Sequence, residues 1–393
     1  MPKKIVVCCD GTGNEFGDRN SNVIKLHKML VFDARQIVYY HPGVGTMGSR
    51  NALSAVGKLW TKVIGLAFGY GISDNIADAY QFLMRNFQPD DEVYVFGFSR
   101  GAYTARALCG MLHMVGLLHQ GNEGQIPYAL RLVKRRKFTI KDFDVARDFK
   151  RTFSRECKPH FIGVWDTVSS LGWVYNPVRF PYTNAAKNLD FHVMRHAMSI
   201  DERRAFFRQN SFGDTCPTAH PPQDLIEAWF AGVHSDVGGS YKELESQLSK
   251  VTLKWMLAEA EHFGLLVDQD WKFDILGGTP PRHHPSYHGQ PHWVAPDPTT
   301  KYQHEQLHGF WWIAELWPKL VKAKSASGKW HDWVRINLGR RRTIPADALF
   351  HESVVQRLAA TNIHYRPSNV PENIPPAQIV YDRRPATTRA ATP

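Results

Sequence analysis

A chain of 393 residues, 43% hydrophobic and 22% charged, is long and apolar enough to bury a substantial core, which excludes a disordered or fibrous protein. Its formal net charge of +11 points to an anionic partner: a phospholipid surface, nucleic acid or an acidic protein. Cys8, Cys9, Cys109, Cys157 and Cys216 are odd in number and form no C-x-x-C pair, which argues against a disulfide framework or a cysteine zinc site and fits a reducing compartment of synthesis.

Lys3 and Lys4 precede the apolar run Ile5 to Cys9 in the order of a signal peptide, but Asp10 stops that run far too early, so it is expected to be the first strand. No stretch approaches the roughly 20 apolar residues of a membrane span. Cytoplasmic synthesis is therefore expected, with non-classical secretion left open, and any membrane is met from its surface. The turn Asp10-Gly11-Thr12-Gly13-Asn14 leads to a helix over 21–30, a strand over 36–40 closed by His41-Pro42-Gly43, and, after a long loop, a helix over 73–87. Gln88-Pro89-Asp90-Asp91 breaks that helix before the strand run Asp91 to Phe96. Such alternation predicts a mostly parallel sheet wrapped by helices, with ligands at the carboxyl ends of its strands.

Gly97-Phe98-Ser99-Arg100-Gly101 follows that strand and opens a run of helix formers, Ala102 to Leu112. A G-x-S-x-G between strand and helix is a nucleophile elbow, with Ser99 exposed on a tight turn; the plainer reading is a serine that only caps the helix. Elbow chemistry takes one oxyanion N–H from the residue after the nucleophile and another from the loop after an earlier strand. These designate Arg100 and either Gly11 or Thr12, unless the 10–14 turn merely caps the first helix.

Residues 119–158 break the alternation and are basic, with Lys134-Arg135-Arg136-Lys137 followed by Arg147, Lys150, Arg151, Arg155 and Lys158. They predict a helical insertion whose charges form a solvated face. Phe161 to Trp165 is the next strand, ending at Asp166, an acid placed to orient a catalytic histidine; Asp201 is a reserve acid. Glu227 to Val233 ends in His234, which leaves a buried strand into the glycine-rich loop Val237-Gly238-Gly239 and can turn its imidazole to a serine. A metal set of His234, Asp236 and Asp10 is the weaker alternative, because no further ligand stands at helical or turn spacing.

After a helix over 248–263, composition shifts towards Pro, His and Trp. His283, His284 and His288 are too loosely spaced for a metal site. Phe310, Trp311, Trp312, Leu316 and Trp317 form an aromatic stripe read as core rather than membrane anchor, and Lys319, Lys322 and Lys324 follow it. The expected organisation is a catalytic domain over 1–265 carrying the basic insertion, a dependent region over 266–365, and a proline-rich tail over 366–393.

Together, Asp10-Gly11-Thr12-Gly13-Asn14, Gly97-Phe98-Ser99-Arg100-Gly101, Val164-Trp165-Asp166-Thr167-Val168 and Gly232-Val233-His234-Ser235-Asp236-Val237-Gly238-Gly239 resemble the α/β-hydrolase domain family that includes type VI secretion phospholipase effectors. The resemblance covers residues 3 to about 265. It implies an α/β-hydrolase-like, mostly parallel sheet with helices on both faces, elaborated here by inserted and C-terminal helical elements, together with a Ser-Asp-His triad and hydrolysis of lipid carboxylic esters. His351-Glu352-Ser353-Val354 also resembles a family feature and makes His351 a second candidate base. The expected enzyme is a lipase or phospholipase working through an acyl-enzyme, with Ser99 as nucleophile, His234 as base, Asp166 as its orienting acid, and neither metal nor organic cofactor. The rivals are an esterase of small soluble esters, a non-catalytic binding protein that takes an acidic partner through 131–158, and a metal-assisted hydrolase. Peripheral contact with an anionic membrane is expected and nucleic acid is not.

Overall fold

The computed structural model describes residues 2–11, 17–43, 71–134, 139–168, 189–208, 210–213, 222–277, 293–316, 319–324 and 330–383. Thr12, Arg135 to Lys137, the three histidines at 283, 284 and 288, Trp317 and the last ten residues lie outside them.

The first half alternates as its hydrophobic pattern requires: β1 (Lys4–Cys9), α1 (Asn22–Met29), β2 (Gln36–His41), α2 (Ile72–Asn86), β3 (Glu92–Phe98) and α3 (Arg100–Val115). Ser21 caps α1 by accepting the Ile24 N–H (3.2 Å), and α2 stops just before Gln88-Pro89, where proline disfavours further helix. β4 (Leu117–Leu118) precedes the basic insertion, which forms α4 (Ile126–Val133), α5 (Ile140–Phe153) and β5 (Ser154–Arg155), the last pairing back with β4. A reciprocal cap between Thr139 and Asp142 starts α5, and Ile126, Leu130, Ala146 and Phe149 are buried, so the insertion is helical and packed through its apolar side.

Next come β6 (Pro159–Trp165), β7 (Val193–Ser199), β8 (Asp224–Phe230), α6 (His234–Gly238), α7 (Gln247–His262), α8 (Gln269–Leu276), α9 (Phe310–Glu315), the hairpin β9 (Lys319–Lys324) and β10 (Trp330–Arg335), β11 (Leu349–His351), α10 (Glu352–Ala359) and β12 (Ile379–Val380). Eight strands make one sheet in the order β12-β11-β8-β7-β6-β3-β1-β2, every neighbour parallel. The C-terminal region is thus not purely helical: two of its strands extend the main sheet.

Both faces are covered, which is why the central strands are apolar without alternation. Ile5, Val7, Val93, Val95 and Ile162 face one core with residues of α2 to α5, while Val6, Cys8, Phe96, Phe98 and Trp165 face the other with residues of α1, α7 and α8. A third cluster joins Met198, Ile200 and Trp229 to Ala348, Phe350 and Val354, tying the C-terminal strands to the sheet. β1 lies between β2 and β3, so the chain reverses its direction of winding there. The carboxyl ends of β1 and β3 at such a reversal are where a crevice opens in α/β sheets.

Candidate active site

Ser99 stands at that edge, between the end of β3 and the first residue of α3, and at 9% exposure is less open than the elbow reading expects. Its φ of 59° and ψ of −120° place a non-glycine residue in a strained conformation, held because the flanking glycines permit close approach. A Cβ on Gly101 would lie 2.1 Å from Cys9 O and 2.5 Å from Asp10 O, and one on Gly97 would lie 2.6 Å from Gly101 O. No larger residue lets α3 start this close to the end of β1.

His234, the first residue of α6, extends to that serine: Nε2 lies 2.8 Å from Ser99 Oγ, and Nδ1 lies 2.5 Å from Asp166 Oδ2. Asp166 follows β6, as expected for an acid at a strand end, and its Oδ1 accepts the Ser199 N–H (2.9 Å). As a carboxylate it can only accept, so Nδ1 carries the proton and Nε2 is left to accept the Ser99 O–H. The rings of Phe98 and Phe207 pack against the imidazole at 4.7 and 4.9 Å between centroids, and Asp166 and His234 are 1% and 3% exposed.

Burial sets the electrostatics. It pushes the Asp166 carboxyl up, but the charge of Arg342 and the bond from His234 outweigh it and hold the group well below the usual carboxylate range. Burial lowers the proton affinity of His234 below the ordinary 6.5; Asp166 and Glu202 offset part of this, and Arg204 adds to it. The imidazole is accordingly neutral at pH 7, the form a general base needs.

The other sequence expectations fall as follows. Arg100 opens α3, where helical bonding begins with Tyr103 N–H to Ser99 O (3.3 Å), so its N–H belongs to the positive end of the macrodipole. The Gly11 N–H donates to Asp10 Oδ1 (2.6 Å), while Asp10 Oδ2 accepts from Ser21 (2.6 Å) and Tyr40 (2.9 Å). Asp201 is not brought to His234; it accepts the Gly232 N–H, the Tyr365 hydroxyl and Arg341. Asp236 faces His304 (2.7 Å) and caps α6 through the Val233 N–H (3.1 Å), so His234, Asp236 and Asp10 do not converge on one point. His351 is engaged elsewhere, with Ser353, Asp382 and the face of Phe230 at 4.6 Å. Among the described residues, His351, Glu352 and Asp382 could group around a cation, but Lys254 Nζ already occupies Asp382 Oδ2 at 2.8 Å.

Of the aromatic stripe, Trp312 and Leu316 depart from the expected core role, while Trp311 packs inward and Trp317 lies outside the described residues. On α9, Trp311 packs on Phe207 (5.5 Å), while Trp312, Ile313 and Leu316 are 45%, 64% and 59% exposed. Three further charged residues stand at the site: Glu202 and Arg204, from a stretch whose mixed charge suggests an internal ion-pair network, and Arg342, which sequence reasoning missed. Glu202 accepts the His234 backbone N–H (3.2 Å) and pairs with Arg204, whose guanidinium lies 3.6 Å from the Phe207 ring. Arg342 binds Asp166 directly at 2.5 and 2.9 Å.

Comparison with known proteins matches residues 3–259 to the family described as T6SS, phospholipase effector Tle1-like, catalytic domain. The uncharacterized protein YEL023C of Saccharomyces cerevisiae is 27% identical, across 95% of this chain and 81% of that one. A solved structure of an uncharacterized protein from Pseudomonas aeruginosa is 20% identical with a TM-score of 0.39, over 69% of this chain; the chain spans 47% of that protein's length.

Proposed function

This chain belongs to the Tle1-like catalytic-domain family of T6SS phospholipase effectors, and from that premise we propose that it hydrolyses carboxylic esters of lipids through an acyl-enzyme on Ser99. The observation that supports the roles is the unbroken run of bonds from Ser99 Oγ through His234 to Asp166 on a strained strand-to-helix turn. His234 Nε2 takes the Ser99 proton as Oγ attacks the ester carbonyl carbon, and Asp166 stabilises the imidazolium that forms. The oxyanion is assigned to the N-terminus of α3, where the Arg100 N–H and the helix dipole favour negative charge; the Gly11 N–H is engaged by Asp10 Oδ1, which argues against it as the second donor. The leaving alcohol takes the proton from His234, and water, deprotonated by the same imidazole, releases the acid from Ser99.

A lipid rather than a small soluble ester is favoured by α9. Trp312, Ile313 and Leu316 present exposed apolar surface, and Trp311 on the same helix contacts Phe207, which contacts His234. With a net charge of +11, that surface suits an anionic bilayer. No described helix is long and apolar enough to cross a membrane, so contact of this kind is peripheral. Residues 1–265 and 266–365 are read as one working unit, the second dependent on the first, because β11 pairs with β8. A hydrolysis panel of short esters, triglycerides and phospholipid vesicles tests this reading. The expected result is phospholipid turnover that Ser99→Ala lowers by about 10⁶; turnover of short esters alone would move the substrate to the soluble class, and none at all would leave a binding protein.

A further inference from the structure

Asp166 is bound from two sides. On one, His234 Nδ1 reaches Oδ2; on the other, Arg342 fits its planar fork to both oxygens, Nη1 to Oδ1 at 2.5 Å and Nη2 to Oδ2 at 2.9 Å. The same guanidinium donates to Ser199 O (3.1 Å) and to Phe207 O, so it also spans the end of β7 and the residue whose ring packs on His234. Arg342 is buried, and it lies beyond residue 259, where the family match ends. Its backbone is pinned in turn: Asn369 Nδ2 donates to Arg342 O (3.1 Å) and Ile200 O (3.0 Å), while Arg341 and Tyr365 both bind Asp201.

We propose that Arg342 is a positioning residue of this site, which fixes the plane of the Asp166 carboxylate for His234 and offsets its charge, so that the C-terminal region completes the catalytic apparatus. The proposal rests on the Ser99–His234–Asp166 reading above. A carboxylate held by a single donor on each oxygen still rocks about Cβ–Cγ; a planar guanidinium bound to both oxygens at once stiffens that plane. The charge acts in a second way. An unshared buried carboxylate draws a proton strongly to its imidazole, and a guanidinium on its far edge weakens that pull and disfavours imidazolium. Among the described residues, the charged groups that bear on His234 or on its acid are Asp166 after β6, Glu202 and Arg204 after β7, and Arg342, bound to Asp166, from the segment between β10 and β11. Two anions are thereby matched by two cations. Removing Arg342 leaves an excess of negative charge, which raises the proton affinity of His234.

The test uses the full chain, with rates on a small soluble ester measured against pH for Arg342→Gln, Arg342→Lys and Ser99→Ala, and with folding checked by circular dichroism. Arg342→Gln should move the acid limb of kcat/KM up by about one pH unit. Arg342→Lys keeps the charge and should leave the limb in place. Both should lower the plateau kcat by about ten- to a hundredfold with KM nearly unchanged, as loss of alignment does. A folded variant pair with plateau rates within about twofold of wild type and unmoved limbs overturns the proposal. If Arg342→Gln fails to fold, Arg342→Lys decides alone, and a plateau within about twofold of wild type again overturns it. Wild-type activity in Ser99→Ala would instead refute the triad itself, an outcome distinct from an inactive Ser99→Ala beside unaffected Arg342 variants.

Discussion

Asp166→Asn strikes stability and rate through separate bonds of one side chain. The carboxylate accepts from Ser199 N–H (2.9 Å), His234 Nδ1 (2.5 Å) and both Nη atoms of Arg342 (2.5 and 2.9 Å). An amide keeps one acceptor oxygen, and its NH₂ must point either at His234 and Arg342 or at Ser199 and Arg342. In either orientation donors face donors, and Arg342 loses its buried counter-charge. Breaking a buried pair from one side costs about 3–5 kcal/mol. For a chain of this length, an unfolding entropy of roughly 2.1 cal/mol/K per residue turns that into a Tm lower by about 4–6 °C. The rate on a soluble ester should fall by about 10³–10⁴, because the tautomer that leaves Nε2 as acceptor is no longer held. Asp201→Asn is the comparison: Arg341, Tyr365 and Gly232 lose their acceptor, so stability falls, while the rate drops by no more than about tenfold through a looser seat for Arg342. A folded Asp166→Asn that keeps more than about a tenth of the rate, or an Asp201→Asn that loses as much, would refute the assignment of the acid.

Since burial depresses the proton affinity of His234, its base form persists below the ordinary 6.5, and the acid limb of kcat/KM should lie beneath that value; a limb above pH 7 would contradict it. Asp166 is depressed as well, so its contribution to stability is full above about pH 4 and is lost on acidification towards its folded value, which a Tm series against pH would record. Gly101→Ala must force apart backbones that would stand 2.1 Å from the new Cβ, costing about 1–3 kcal/mol and about a hundredfold in rate, whereas Gly124→Ala, with nothing within 4 Å, should be near neutral. His351→Ala should lower Tm through loss of its contacts with Phe230 and Asp382 yet leave kcat unchanged; an inactive, folded variant would move the base to the C-terminal region. Vesicle hydrolysis should rise with anionic lipid and fall with salt, and equal rates on neutral and anionic vesicles at low salt would show that the positive charge serves something else.

The meeting of Ser99, Asp166 and His234 was legible because each follows a short strand at the carboxyl edge of a parallel sheet, and a sheet edge gathers what its strands deliver. Arg342 was not legible. It closes the run Arg340-Arg341-Arg342, which reads as a solvated basic patch, and its partner is 176 positions away. Strands β11 and β12 span only Leu349–His351 and Ile379–Val380, too short for periodicity to register, so the sheet's far edge was invisible in the pattern. The stripe on α9 misled in the opposite direction, since a helix running only from Phe310 to Glu315 cannot turn aromatic residues on several sides into one core. His351 carries the same local signal as His234, a histidine at a strand end, and only the fold separates one from the other.

The most direct test of the central claim is covalent capture of the nucleophile. Wild-type protein treated with a fluorophosphonate, digested and mapped by mass spectrometry should carry the adduct on the peptide containing Ser99, with labelling and phospholipid hydrolysis lost together in Ser99→Ala. Hydrolysis that persists after Ser99 is replaced, or an adduct on another residue with Ser99 unmodified, would contradict it.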